Sequence, residues 1–336
     1  MLTFEYDERL PTLRRLIRLA NRAQWSVEDV DWSVPLPDRG KPYERVLSWH
    51  GLWRNDYIQT LPPKKTEALA RQMVAMEFSQ VLHGEQAALM LAGQLTTSVQ
   101  DLDARIFAAT QAKDEARHVE AVRDLVKRLG PIYPIGKVLQ ENLHDLLTCN
   151  LWPKQVLGLQ LFLEARALLS FRQHLLFVND PVFTDVVTRI ERDEAHHVAF
   201  GVQYLKNGVA DLGPETRALL VDYAQHLDRT IWHMTQAEEF RAAFDEVDLD
   251  YDECMANQER SFTSPHLTPD AQRTVADMYT QFVRWFENAV RRVGLGEAIA
   301  DRPIASQEPG PDTLPWVAAA DAAEAEAEAE VEASGE

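Results

Sequence analysis

The sequence is short of cysteine, of basic clusters, of strand-like alternation and of long apolar runs, and each shortage excludes something. Cys149 and Cys254 are the two cysteines in 336 residues. They lie far apart and form no CxxC, so they support neither a disulfide framework nor a thiolate zinc site, and a reducing cytoplasm is the expected compartment. No segment approaches ~18 uninterrupted apolar residues, so no transmembrane helix is expected. The opening MLTFEYDERLPTLRRL has no apolar core of a secretory signal. With 34 Lys and Arg against 53 Asp and Glu, the net charge is −19, and no clustered basic face invites nucleic acid. Nine of those nineteen charges fall in residues 301–336, which end in AAADAAEAEAEAEVEASGE. That stretch buries too little apolar surface to offset the entropy of ordering, so a disordered acidic tail is expected.

What is present is helical. Residues 1–65 form an irregular Trp- and Pro-rich segment with one short helix over LPTLRRLIRLANRA, expected to pack on the long helices after it. From Thr66 the pattern changes to strong helix formers with apolar residues at helical spacing. One long helix is expected over 66–95. A second starts near Ser98 and Asp101, read as a capping pair, and stops at Gly130-Pro131. A short connecting helix over 137–149 leads to a third long helix from Trp152-Pro153 to about Val178. A fourth starts at Asn179-Asp180-Pro181 and ends near Gly208. Two further helices, about 214–240 and 269–296, flank an acidic loop over 245–266. The expected fold is all-α: a four-helix bundle over 66–210, with additional C-terminal helices over 211–300.

Two stretches of this bundle repeat a core. QAKDEARHVEAV (111–122) and ERDEAHHVAFG (191–201) both contain Asp-Glu-Ala-x-His. Glu115 with His118, and Glu194 with His197, are spaced i, i+3, so each pair projects from one helix face. Four-helix carboxylate sites need one further Glu from each partner helix. Glu85 lies thirty residues before Glu115 and Glu164 thirty before Glu194, and the two midpoints, residues 100 and 179, fall at the expected turns. Each hairpin therefore climbs about 22 Å and returns to the same level. Both Glu85 and Glu164 sit in apolar surroundings, where an unpaired carboxylate is costly and a metal ion removes that cost. Four carboxylates and two imidazoles suit a pair of Fe or Mn ions. Glu77, eight residues before Glu85, is an alternative donor whose level matches the turn less well. Glu191 reads as solvated. His83 and His174 lie off the ligand level, and His226 and His233 read as packing or surface residues on the fifth helix.

The set Glu85, Glu115-Ala-Arg-His118, Glu164 and Glu194-Ala-His-His197 resembles the ligand signature of the ferritin-like di-iron carboxylate proteins. Within them it is most similar to the oxidases related to the ribonucleotide reductase small subunit and to the bacterial multicomponent monooxygenases. QWSVEDVDWS (24–33) is similar to the Trp…Asp-Trp segment of the ligand-binding oxidases of that group. The resemblance implies that Asp114 and Asp193 orient the metal-bound histidines, that Arg117 pairs with one of them, and that His196 stands where many relatives carry Arg. Accessory marks of the subfamilies are missing. Val122 occupies the place of the reductase's radical tyrosine, Ala167 and Leu168 that of the oxygen-side threonine, and Ala87 and Leu159 that of the Val–Tyr crosslink. Ile190 stands where arylamine N-oxygenases place an additional histidine.

The activity implied is that of an O2-activating non-haem di-iron oxidase or oxygenase acting on a small organic molecule. Its two Fe ions (Fe/Fe, with Mn/Fe as the alternative) would be bridged by Glu164 with Glu115 or Glu194, and Phe78, Phe162 and Leu168 are candidate pocket walls. Electrons would come from a ferredoxin, a reductase or the substrate. A homodimer is expected, with no nucleic-acid or membrane partner. The alternatives are a ligand-binding oxidase with little turnover and a ferroxidase.

Overall fold

In the computed structural model, residues 10–37, 42–52, 55–230, 237–262 and 269–299 are described, with residues 4 and 6 alone before them. The acidic tail and His233 lie outside them. Every element among the described residues is helical. Helix α1 (Pro11–Arg22) and the short α2 (Arg45–Trp49) and α3 (Asp56–Thr60) precede the first long helix, α4 (Pro63–Ser98). It is followed by α5 (Leu102–Leu129), α6 (Lys137–Leu147) and α7 (Trp152–Gly158). A π-helical turn (Leu159–Glu164) joins α7 to α8 (Ala165–Phe177), and α9 (Pro181–Gly208) returns along it. Helices α10 (Pro214–Thr230), α11 (Arg241–Asp245), α12 (Tyr251–Phe262) and α13 (Pro269–Arg292) complete the chain.

The two hairpins that carry the repeated motif turn where the residue arithmetic puts their midpoints. Helix α4 ends at Ser98 and α5 begins at Leu102, while α8 ends at Phe177 and α9 begins at Pro181. Asp180 caps α9, accepting from the Val182 and Phe183 amides at 2.9 and 3.3 Å, and Pro181 takes the first helical position, where no amide hydrogen is needed. The other turn differs from the expected Ser98–Asp101 capping pair. Ser98 closes α4, and the Asp101 carboxylate instead accepts from the Tyr204 hydroxyl at 3.2 Å.

Two more differences have local causes. The acidic loop expected over 245–266 contains α12, because Asp250 accepts from the Glu253 amide at 2.8 Å and so supplies a helix start. Its buried Cys254 carbonyl is tied to the Asn55 side chain at 2.8 Å. The third bundle helix is not uniform either, since its centre widens into the π turn. A Cβ on Gly201 of α9 would collide with Gln160 and Leu161, so glycine there lets the widened turn press against its neighbour. Such turns occur mostly as single insertions in α-helices, frequently at functional sites. This one ends on Glu164.

The core has two lobes. One gathers α1, α4–α10 and α13 around Phe162, Phe200, Phe282 and Phe286, and the other gathers α2–α5, α8, α9, α11 and α12 around Phe78, Phe171 and Phe183. The carboxylate and imidazole side chains of the motif lie in the bundle between these apolar masses.

Candidate metal centre

Helices α4, α5, α9 and the end of the π turn contribute one level of side chains to a common centre. Glu85, Glu115, His118 and Glu194 form one group, and Glu115, Glu164, Glu194 and His197 a second. Within each group the donor atoms lie within 4.8 Å of one another, and Glu115 and Glu194 belong to both. All six residues are at most 5% exposed. His118 Nδ1 faces Glu194 at 3.0 Å, Glu115 at 3.2 Å and Glu85 at 3.4 Å. His197 Nδ1 faces Glu194 at 3.0 Å, Glu115 at 3.2 Å and Glu164 at 3.9 Å. The i, i+3 spacing thus aims both imidazoles inward through the same nitrogen.

The outer nitrogens cross between the motifs. His118 Nε2 lies 3.2 Å from Asp193, and His197 Nε2 lies 3.5 Å from Asp114. Arg117 donates to both aspartates, at 2.7 Å to Asp114 and 2.9 Å to Asp193, and so links the two helices. The segment after α1 closes this layer. Trp25 Nε1 donates to Asp193 at 2.7 Å, and the Gln24 amide donates to Asp114 at 2.7 Å. Trp25 also lies under the Arg117 guanidinium at 4.9 Å and stacks near His118 at 6.5 Å. His196 does not join the centre. It is half-buried on the outer side of α9, and burial, with the charge of His197, pushes its imidazole down to about 4.

Two glutamines complete the inner layer, and motif spacing singles out neither. Gln111, one turn before Glu115, donates to Glu115 at 3.0 Å and to Glu164 at 2.9 Å. Gln160 in the π turn donates to the Gln111 carbonyl oxygen at 3.0 Å. A buried polar residue in the apolar run LGLQLFLE was the one available hint.

The electrostatics show what the cluster lacks in protons and charge. Burial, reinforced by Glu164, pushes the Glu115 carboxyl up to about 8. Burial and the charges of Glu164 and Glu115 push Glu194 up as well. Burial disfavours the imidazolium forms, but the surrounding carboxylates prevail and raise His118 and His197 well above the ordinary histidine value. Glu194 Oε1 is buried and faces the His118 imidazole at 3.0 Å. Protons thus balance a concentration of negative charge that two divalent ions would balance better. The donor set, all oxygen and imidazole nitrogen, fits Fe or Mn rather than a thiolate-seeking metal.

The remaining candidates sort plainly. Glu77 is not part of either group; His50 and His174 hold it at 3.2 and 2.9 Å. Glu191 is buried in an ion pair with Arg172 rather than solvated. His83 meets the Tyr133 carbonyl at 2.9 Å. Phe78, Phe162 and Leu168 are fully buried core residues. The cavity beside the centre, about 330 Å3, is walled instead by Leu159, Leu163, Ala167 and Val81, with Glu85 and Glu164 at one end. Ile190, at the place of the arylamine N-oxygenases' extra histidine, is fully buried among apolar residues.

A family model described as p-aminobenzoate N-oxygenase AurF matches residues 7–289. Among solved structures, an R2-like ligand-binding oxidase mutant with an anaerobically reconstituted Mn/Fe cofactor is similar with a TM-score of 0.51 and 16% identity, covering 83% of this chain and 94% of that one. A mutant of the R2-like ligand-binding oxidase with an aerobically reconstituted Fe/Fe cofactor gives 0.49 and 15%, covering 83% and 94%. At such identity the first of these likenesses speaks for the fold alone. No curated protein matches.

Proposed function

The chain belongs to the p-aminobenzoate N-oxygenase AurF family, and from that premise we propose that it is a di-iron oxygenase inserting oxygen into a nitrogen-bearing organic substrate bound beside Glu85 and Glu164. The observation that carries this reading is the shared, buried pair of donor groups, in which Glu115 and Glu194 can bridge two ions. Glu85 and His118 would complete one ion's donors, and Glu164 and His197 the other's. When bound, the two irons would supply the redox chemistry that activates O2; one oxygen atom would go to the substrate and the other would leave as water with two protons, the two electrons coming from a ferredoxin, a reductase or the substrate itself.

The chain's own part is positioning and protection. Asp193 takes the outer N–H of His118 at 3.2 Å, which fixes the tautomer that presents Nδ1 inward, and Asp114 faces the outer nitrogen of His197 at a longer 3.5 Å. Arg117 and Trp25 hold the aspartates in turn. Gln111 restrains Glu115 and Glu164 from opposite helices through one amide. Phe107, stacked on Phe200 at 4.2 Å and edge-on to His197 at 6.4 Å, excludes water from the far side. Access is left on the side of the cavity.

The test is turnover. Iron-loaded protein supplied with a reductant and an arylamine such as 4-aminobenzoate or a longer homologue should consume O2 and yield the N-hydroxylated product. Steady O2 uptake with no nitrogen oxidation across a panel of amines would overturn the reading.

A further inference from the structure

The cavity beside the metal centre extends away from it and has a second polar end. Its wall runs along α4 from Glu85 back to Glu77, and along α8 from Glu164 on to Gln173. Eight residues of helix correspond to about 12 Å, so the two ends lie that far apart. Between them Val81, Leu163 and Ala167 form apolar stretches of a wall that Gln80, Arg166 and Ser170 also line, with Gly84 facing open space: a Cβ built there meets nothing within 4 Å.

The far end is built, and it is incomplete. Glu77 is gripped from both sides, by His50 at 3.2 Å and by His174 at 2.9 Å. His174 Nδ1 in turn lies 2.7 Å from the Ser170 carbonyl. His174 therefore faces an oxygen at each ring nitrogen. This array fixes His50 at the wall, where Phe240 packs edge-on at 4.7 Å. Gln173, 4% exposed and part of the same cavity wall, has a buried amide nitrogen without any hydrogen-bond partner. A buried donor left unpaired costs stability comparable to a lost hydrogen bond, so one aimed into a cavity points to an acceptor brought by a ligand.

We propose that this cavity binds an elongated substrate whose acceptor-bearing head group, a carboxylate or carbonyl oxygen, sits on Gln173 and His50 about 12 Å from the metal-side carboxylates. The inference rests on the oxygenase reading for the identity of the reacting end. It goes further by setting the length and the far-end chemistry: a single benzoate ring is too short to reach both ends, whereas a ring extended by a short chain spans them. A cavity of about 330 Å3 is the right order for such a molecule. Gln173 and His50 are thereby specificity-determining residues, remote from the reacting atoms.

Equilibrium binding to the iron-loaded, full-length protein under anaerobic conditions tests this without turnover. The probes are 4-aminobenzoate, 4-(4-aminophenyl)butanoate and 4-butylaniline, the last equal in reach but lacking the head group. The butanoate should bind about tenfold tighter than either of the others. Gln173→Leu should erase that advantage and leave 4-butylaniline unchanged. Gly84→Leu, which fills the metal-side end of the passage and favours the helix, should abolish butanoate binding with two irons per chain retained. Equal binding of butanoate and 4-butylaniline, or an undiminished advantage in Gln173→Leu, would overturn the proposal. Because the readout is binding, a protein that passes these tests but oxidises no amine would refute the oxygenase reading and leave the cavity assignment standing.

Discussion

The two halves of the metal centre are near-copies in sequence and unlike in structure. The first half sets Glu85 and the Glu115–His118 pair on regular helices, with Asp193 held 3.2 Å from His118 by both Trp25 and Arg117. In the second half Glu164 closes a π turn, and the Glu194–His197 pair is supported by Asp114 at a looser 3.5 Å, backed by Gln24 and Arg117. Burial opposes ionisation of Asp193, yet hydrogen bonds and charge from His118, with Trp25 and Arg117, hold its carboxyl below the usual range. The difference teaches where rigidity and adjustment reside. The cation Arg117 serves both halves, but only the first has an aromatic donor, Trp25, on its aspartate, while the other half abuts a widened helix turn beside the cavity.

The largest expected effect comes from removing the symmetry altogether. Glu115→Ala or His118→Ala should reduce bound iron from two to one or none per chain and abolish O2 uptake, read by metal analysis and an oxygen electrode. Glu115 and Glu194 belong to both donor groups, so Glu115→Ala should disturb both ions, whereas His118→Ala should spare the second half. Retention of two irons in Glu115→Ala would contradict the bridging role.

The outer layer should break unequally. Asp193→Asn is expected to weaken iron binding by about ten- to a hundredfold, and Asp114→Asn by less, as its contact is longer. Equal losses in iron titrations would show that the contrast between the halves has no energetic weight. The π turn is probed by Gly201→Ala, whose methyl collides with Gln160 and Leu161. Overpacking of this kind costs about 1–3 kcal/mol, so urea unfolding should show a clear loss, and metal binding should suffer first at the Glu164 side.

The smallest effect is in pH. Because Glu115 is pushed up to about 8 by burial and Glu164, it carries a proton below that value, and a metal ion must displace it. Iron affinity should therefore climb as pH rises from about 6 to about 8 and fall in acid, with protons released on metal addition. Affinity independent of pH over that interval would contradict the protonated state of the metal-free cluster.

Much of the centre was legible in the sequence because it depended on local spacing. The i, i+3 pairs and the thirty-residue levelling of Glu85 and Glu164 are set by helical rise and short-range pattern, whereas the Trp25 segment was marked only by its resemblance to the ligand-binding oxidases. What was not legible depends on tertiary contact. Gln111 and Gln160 look like any helical glutamine until two helices meet. The π turn arises where Gly201 lets a neighbouring helix press in, and no propensity records that. His174 and Glu77 stand 97 residues apart, and His174 reads as irrelevant until the fold pairs them. The acidic stretch before α12 resembled a solvated loop because the cap at Asp250 is a single contact in a run of similar residues.

The central claim is that the two unequal halves hold two metal ions between them. Anomalous diffraction from iron-loaded crystals tests it most directly. The expected result is two peaks, one among Glu85, Glu115, His118 and Glu194 and one among Glu115, Glu164, Glu194 and His197. A single peak, or iron held by His50, Glu77 and His174 instead, would contradict it.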